Sequence, residues 1–372
     1  MIVDKTYCAS SFLMYRTIAD SERTFAEGVV PFIAEVPQNR TPIHTSAELQ
    51  DALRQKVETA CRNKKAALCL SGGIDSAILA KFMSKGSVAY TFKCIVPGTA
   101  VTDESPQAAR YAAECALDHR VIEIYWEDFE RYAPVLMKHK GAPIHSIEVQ
   151  IYKAALQAKK DGFDTLIFGE SSDVLYGGMS GLLSKDWTFG EFVDRYSYVK
   201  PYYALKDSIM ILEPYATYTN IQGGVSTHDF ISHFFYKEGL NSYINACETA
   251  GMDLLAPFSE TILAESLDLP RIRRGENKYL VREVFSRLYP GFEIPAKTPM
   301  PRPMNEWLKD WQGPARSEFW PHCTDTMTGD KKWLVGALGK FFDFFFPASP
   351  LSHCTPPLLP SPQSFRKPPR SQ

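Results

Sequence analysis

Six residues, Ser71-Gly72-Gly73-Ile74-Asp75-Ser76, stand between an apolar run, Ala67-Leu68-Cys69-Leu70, and an apolar helical pattern formed by Ala77, Ile78, Leu79, Phe82 and Met83. Paired glycines at a strand-to-helix turn let backbone N–H groups come close to an anion. A helix starting there adds unpaired amides and the positive end of its dipole. The stretch therefore reads as a phosphate cradle. It is not a Walker loop, because no Gly-Lys-Ser/Thr follows the glycines. An acid inside an anion site, Asp75, makes chemical sense if a divalent cation bridges its carboxylate to phosphate oxygens.

A second acidic block, Gly169-Glu170-Ser171-Ser172-Asp173-Val174-Leu175-Tyr176-Gly177-Gly178, follows the apolar run Thr165-Leu166-Ile167-Phe168. Asp173 is expected to reach the same cation as Asp75, which leaves Glu170 for proton transfer. The plainer alternative is a helical first turn whose acids complement the dipole. Further along, Lys297 lies in the rigid loop Ile294-Pro295-Ala296-Lys297, where most lysines are merely solvated.

These groups need elements to bring them together. A helix is expected from Thr45, with Glu48 as capping-box partner and Leu49, Leu53, Val57 and Ala60 at helical spacing. Strands are read at 66–70, 88–96, 121–124 and 165–168, and helices at 106–117, 127–137 and 147–160. That alternation implies an α/β fold, a parallel sheet with helices on both faces, in which ligands bind beyond the carboxyl ends of the strands. Both acidic loops should then face one pocket. From Asp186 to Cys247 the chain is aromatic and helical, an added layer that packs and that would help exclude water. Helices follow at 260–267 and from Asn277 through Leu288. Residues 1–44 form a mixed lead-in, 45–345 a single domain, and 346–372 a Pro- and Ser-rich tail expected to be disordered.

Composition narrows the classes. The chain has 372 residues, 45% hydrophobic and 23% charged, with a formal net charge of -2. That balance gives no electrostatic footprint for nucleic acid or anionic membrane. No eighteen apolar residues run together and no internal repeat is found, so neither a transmembrane helix nor, with Asp4, Lys5, Arg16 and Asp20 near the start, a signal peptide is expected. The eight cysteines include no Cys-x-x-Cys pair, as expected of reduced thiols in a cytoplasmic protein.

The motifs resemble the synthetase half of asparagine synthetases, within the PP-loop ATP pyrophosphatases (an adenine nucleotide alpha hydrolase-like fold). SGGIDS at 71–76 is common to that superfamily. GESSDVLYGG at 169–178 is similar to the more selective GEGSDELFGG. APF at 256–258, NKYLVR at 277–282 and the spacing from Lys297 through Trp307-Leu308 agree in order, so the resemblance spans about 15–310. It implies ATP lying across the cradle, with Ser71, Gly72, Gly73 and Ser76 on the pyrophosphate and Asp75 and Asp173 on Mg²⁺. Main chain near Cys69, Cys94 and Gly169 would meet the adenosine. A small-molecule carboxylate would attack the α-phosphate to give an acyl-adenylate and pyrophosphate. Ammonia or an amine would then displace AMP, with Glu170 as proton acceptor and Lys297 offsetting charge.

Within the resemblance, β-lactam synthetases carry tyrosine where this chain has Glu170, which favours intermolecular amidation over ring closure. Asparagine synthetases place a nucleophilic cysteine directly after the initiator Met, in a glutaminase domain; here position 2 is Ile and the first cysteine is Cys8. The expected nitrogen source is therefore free ammonia, another amine, or a separate glutaminase subunit, so asparagine biosynthesis by an amidotransferase would need a partner. Asp253, Leu255 and Glu260 stand where the family usually has Glu, Arg and Asp, which opens the substrate to carboxylates other than aspartate. Two further readings are another PP-loop enzyme, NAD synthetase-like or tRNA-thiolating, and a non-catalytic nucleotide-binding subunit.

Overall fold

The computed structural model describes residues 1–35 and 37–347. Its centre is a five-stranded, wholly parallel sheet of β1 (Ala66–Cys69), β2 (Val88–Cys94), β3 (Asp118–Ile124), β4 (Thr165–Ile167) and β5 (Asp253–Leu255), in the spatial order β3-β2-β1-β4-β5. Four of these strands fall where the apolar runs place them: β1 and β4 each stop one residue short, β2 stops two residues short of Val96, and β3 starts three residues early. β5 was not anticipated. It pairs with β4 through Thr165↔Asp253 and Ile167↔Leu255.

Chain order reverses at β1. From β1 the connections run outward through β2 to β3, while β4 lies on the other side of β1. Open α/β sheets bind ligands at such a switch point, outside the carboxyl ends of the strands. The loops leaving β1 and β4, which carry Asp75 and Asp173, are therefore neighbours.

Helices cover both faces. On one side Ser46–Asn63, Ile74–Ala80 and Tyr279–Leu288 pack together; on the other Trp126–Lys140, Ile147–Lys160 and Tyr236–Ala250 do. The first of these shows the capping box read from the sequence: Thr45 Oγ1 accepts from Glu48 N at 3.2 Å, and Glu48 accepts from the Thr45 amide at 3.2 Å.

The added layer is built largely on aromatic rings. Tyr15, Phe192, Tyr196, Tyr215, Phe230 and Phe234 lie in mutual contact, with centroid separations of 4.7–6.2 Å among the pairs Tyr15–Tyr196, Tyr15–Phe234 and Tyr196–Phe230. Lys5–Tyr15 is a helix buried from Tyr7 through Tyr15, packed on the last helix, Gly329–Phe345.

One expectation fails. No helix spans 260–267. Pro257–Glu260 forms a 3-10 turn, and Thr261–Leu263 then runs as a strand paired in parallel with Thr41–Ile43. The β-branched pair Thr261-Ile262 suits extended backbone, and an available edge at 41–43 decided the outcome over local periodicity. The tail expected to be disordered lies outside the described residues from 348 on. Among the described residues the seven cysteines form no disulfide, and no helix is long and apolar enough to cross a membrane.

Candidate active site

The cradle is held by its own serines. The Ser71 amide donates to Ser76 Oγ at 2.9 Å, the two hydroxyls are 2.8 Å apart, and the Gly73 amide donates to Ser71 Oγ at 3.2 Å. Gly72 donates its amide to Glu104 Oε2 at 3.0 Å. A carboxylate thus occupies one of the cradle's amide donors. Burial is the main cause that lifts the Glu104 carboxyl to about 7, against the pull of the Gly72 amide.

Glycines clamp the second loop to the first. A Cβ on Gly169 would come within 2.9 Å of both Asp75 Cβ and the Ser76 nitrogen, so only glycine lets β4 deliver its loop onto the cradle. A Cβ on Gly178 would overlap Asp173 Oδ1 and approach Lys278 Cδ to 2.8 Å. Ser171 occupies the left-handed region at φ 74°, in the third position of the block, where GEGSDELFGG has glycine.

Asp75 and Asp173 converge on one ammonium. Lys278 Nζ lies 2.5 Å from Asp75 Oδ2 and 3.1 Å from Asp173 Oδ1, and Ser172 Oγ donates to Asp75 Oδ1 at 2.8 Å. Burial pulls the Lys278 ammonium down, but the two carboxylates outweigh it and hold its pKa above the ordinary value. For Asp173, burial is likewise outweighed by Lys278 and Lys297, and the carboxyl is lowered. Asp75 is raised, because burial prevails over its one lysine and the Asp173 charge adds to it. Lys297 Nζ reaches Asp173 Oδ2 at 3.1 Å and donates to the Gly178 carbonyl at 3.0 Å.

Glu170 points the other way, toward the helix Tyr236–Ala250. A Cβ on Gly239 would lie 3.0 Å from Glu170 Oε1, so this helix presents a bare backbone to the carboxylate. Burial raises the Glu170 carboxyl to about 7; the Ser171 amide and the Tyr243 hydroxyl pull it down, and the charge of Asp173 pushes it up.

A cavity of about 370 Å³ joins these groups, with Cys69, the whole cradle, Glu104, Gly169, Glu170, Asp173, Tyr243, Lys278 and Lys297 in its wall. Of the residues given a catalytic, ATP-binding or metal role from sequence, all but Cys94 line it. The Cys94 thiol instead donates to the Pro301 carbonyl at 3.2 Å. Asp253 and Glu260 are tied to Lys64 and Lys56 at 2.6 and 2.5 Å.

The family model for asparagine synthase matches residues 48–318. The chain belongs to the asparagine synthase family. Members are ATP-dependent, amide-forming ligases. A comparison with curated proteins gives no match. Among solved structures the chain is similar to the NH3-dependent NAD synthetase of Campylobacter jejuni subsp. jejuni NCTC 11168 in complex with the nitrate ion, at 16% identity and a TM-score of 0.24. That likeness covers 35% of this chain and 59% of the synthetase chain.

Sequence reasoning missed Glu104, Gly239 and Tyr243, which meet the cradle or Glu170 across more than 30 residues of chain and leave no local pattern. Lys278 lies within the motif NKYLVR, where its residue type alone suggests no role. Its left-handed φ of 55° at the start of a helix is a structural feature with no counterpart in composition.

Proposed function

We propose that the chain adenylates a small carboxylate with ATP, releasing pyrophosphate, and passes the acyl group to ammonia or an amine to give an amide and AMP. The observation that carries this reading is the convergence of Asp75 and Asp173, from two neighbouring strands, beside a phosphate cradle and a separate buried carboxylate, Glu170, in one cavity.

A divalent cation fits the donor set. Two carboxylates already hold a positive charge between them, and five carboxylates against three cationic side chains line the cavity. Among the described residues no three His, Cys, Asp or Glu side chains form a complete metal cage, which suits Mg²⁺, since it takes one or two carboxylates together with phosphate oxygens. Asp75 and Asp173 would hold it, and it would offset charge on the phosphates. The cradle orients the triphosphate so that the carboxylate meets the α-phosphorus in line with the departing pyrophosphate. Lys297, on the open side of Asp173, places its charge near that departing group. Glu170, poised at about 7, accepts the proton that the nitrogen loses as the amide forms. Cys69 and Gly169 line the side of the cavity where the adenosine would sit. Tyr243, Phe168 and Phe92 limit water around the acyl-adenylate.

The test is pyrophosphate and AMP release from Mg-ATP and ammonia across a panel of carboxylates, aspartate included. Release that depends on one of them, and is lost in Asp75→Asn, supports the reading. No release with any carboxylate, or equal release by Asp75→Asn, contradicts it.

A further inference from the structure

We propose that Arg282 is the cation that binds the leaving pyrophosphate in this cavity and directs it outward, an assignment that rests on the adenylation reading. Three cationic side chains line the cavity, Lys278, Arg282 and Lys297. Two are engaged: Lys278 by Asp75 and Asp173, and Lys297 by Asp173 and the Gly178 carbonyl. Arg282, one turn beyond Lys278 on the helix Tyr279–Leu288, makes no side-chain hydrogen bond or ion pair with any described residue. A half-buried guanidinium without an anion is an unmet demand, and its planar fork of donors matches two phosphate oxygens. Five carboxylates share the lining, so a guanidinium that none of them engages adds to the cradle amides and Lys297 a charge left over for the terminal phosphates.

Arg282 also lines a second depression on the outer surface, with Arg271, Tyr279, Glu283, Ser286 and Arg287. The other two arginines there are occupied, Arg271 by Glu276 at 2.7 Å and Arg287 by Gln50 at 2.8 Å and Ser46 at 2.7 Å. One side chain thus lines both the cavity and an outer depression, so a pyrophosphate held by Arg282 would lie on the side of the cavity nearest that depression.

Calorimetric titration of the whole chain with Mg-pyrophosphate, Mg-ATP and AMP tests this. Arg282→Gln should weaken pyrophosphate and ATP by about tenfold or more, the loss of one charge-assisted pair, and leave AMP unchanged. Arg282→Lys, a point charge without the fork, should fall between. Pyrophosphate bound by Arg282→Gln as tightly as by the wild-type chain overturns the assignment, and so does an equal loss of AMP and pyrophosphate, which would mark a structural role. If the wild-type chain binds neither ATP nor pyrophosphate, the adenylation reading itself fails and takes the assignment with it.

Discussion

Glu170→Gln probes the site through stability as well as rate. The Glu170 carboxyl is held at about 7 by burial, against 4.5 for a free glutamic acid. Between those values the folded chain keeps a proton that the unfolded chain has released. Stability therefore falls as pH rises through this window, and the whole penalty is present above it. At 1.36 kcal/mol per unit, the shift amounts to about 3 kcal/mol. Glutamine keeps the shape and does not titrate. The stability of Glu170→Gln relative to wild type should then rise by most of that 3 kcal/mol between pH 5 and pH 8, with Glu104 and the other groups cancelling in the difference. Urea unfolding of both chains at the two pH values measures it. Activity should move oppositely: amide formation should drop by about 10²–10⁴ for loss of the proton acceptor, while carboxylate-dependent pyrophosphate release continues. A stability difference that is flat with pH, or amide formation at the wild-type rate, would refute the reasoning.

Three other perturbations follow from the same contacts. Gly239→Ala would place a methyl 3.0 Å from Glu170 Oε1, so amide formation should slow more than pyrophosphate release when both are followed in one reaction. Lys278→Met leaves two facing carboxylates without their shared ammonium; it should lose about 3 kcal/mol in urea unfolding, and millimolar MgCl2 should restore more stability to it than to wild type. Glu104→Ala frees the Gly72 amide and removes a like charge from the cradle, so Mg-ATP should bind more tightly by calorimetry; weaker binding would make Glu104 a brace of the loop instead.

What the sequence reveals, and what it hides, divides along physical lines. Four of the five sheet strands, the Thr45 cap and the flanking helices could be read because apolar runs, turn residues and caps are local signals. The helix Lys5–Tyr15 could not, since burial on nearly every face, Ser10 and Ser11 included, erases amphipathic periodicity. The stretch at 260–267 was misread because its pairing partner lies more than 200 residues earlier. In the site, the cradle, Asp75, Glu170 and Asp173 announce themselves by type and spacing. Their partners do not: Glu104, Gly239, Tyr243 and Lys278 matter through where the fold brings them. Cys94, included by resemblance, is not among the residues that line the cavity.

The central claim is attack by a carboxylate oxygen on the α-phosphorus, and isotope transfer addresses it most directly. With the carboxylate that supports pyrophosphate release, labelled with ¹⁸O in the carboxyl group, mass spectrometry of the products should find one ¹⁸O in the phosphate of AMP and none in pyrophosphate. Label in inorganic phosphate with ADP as co-product, or AMP free of label, would contradict adenylation at this site.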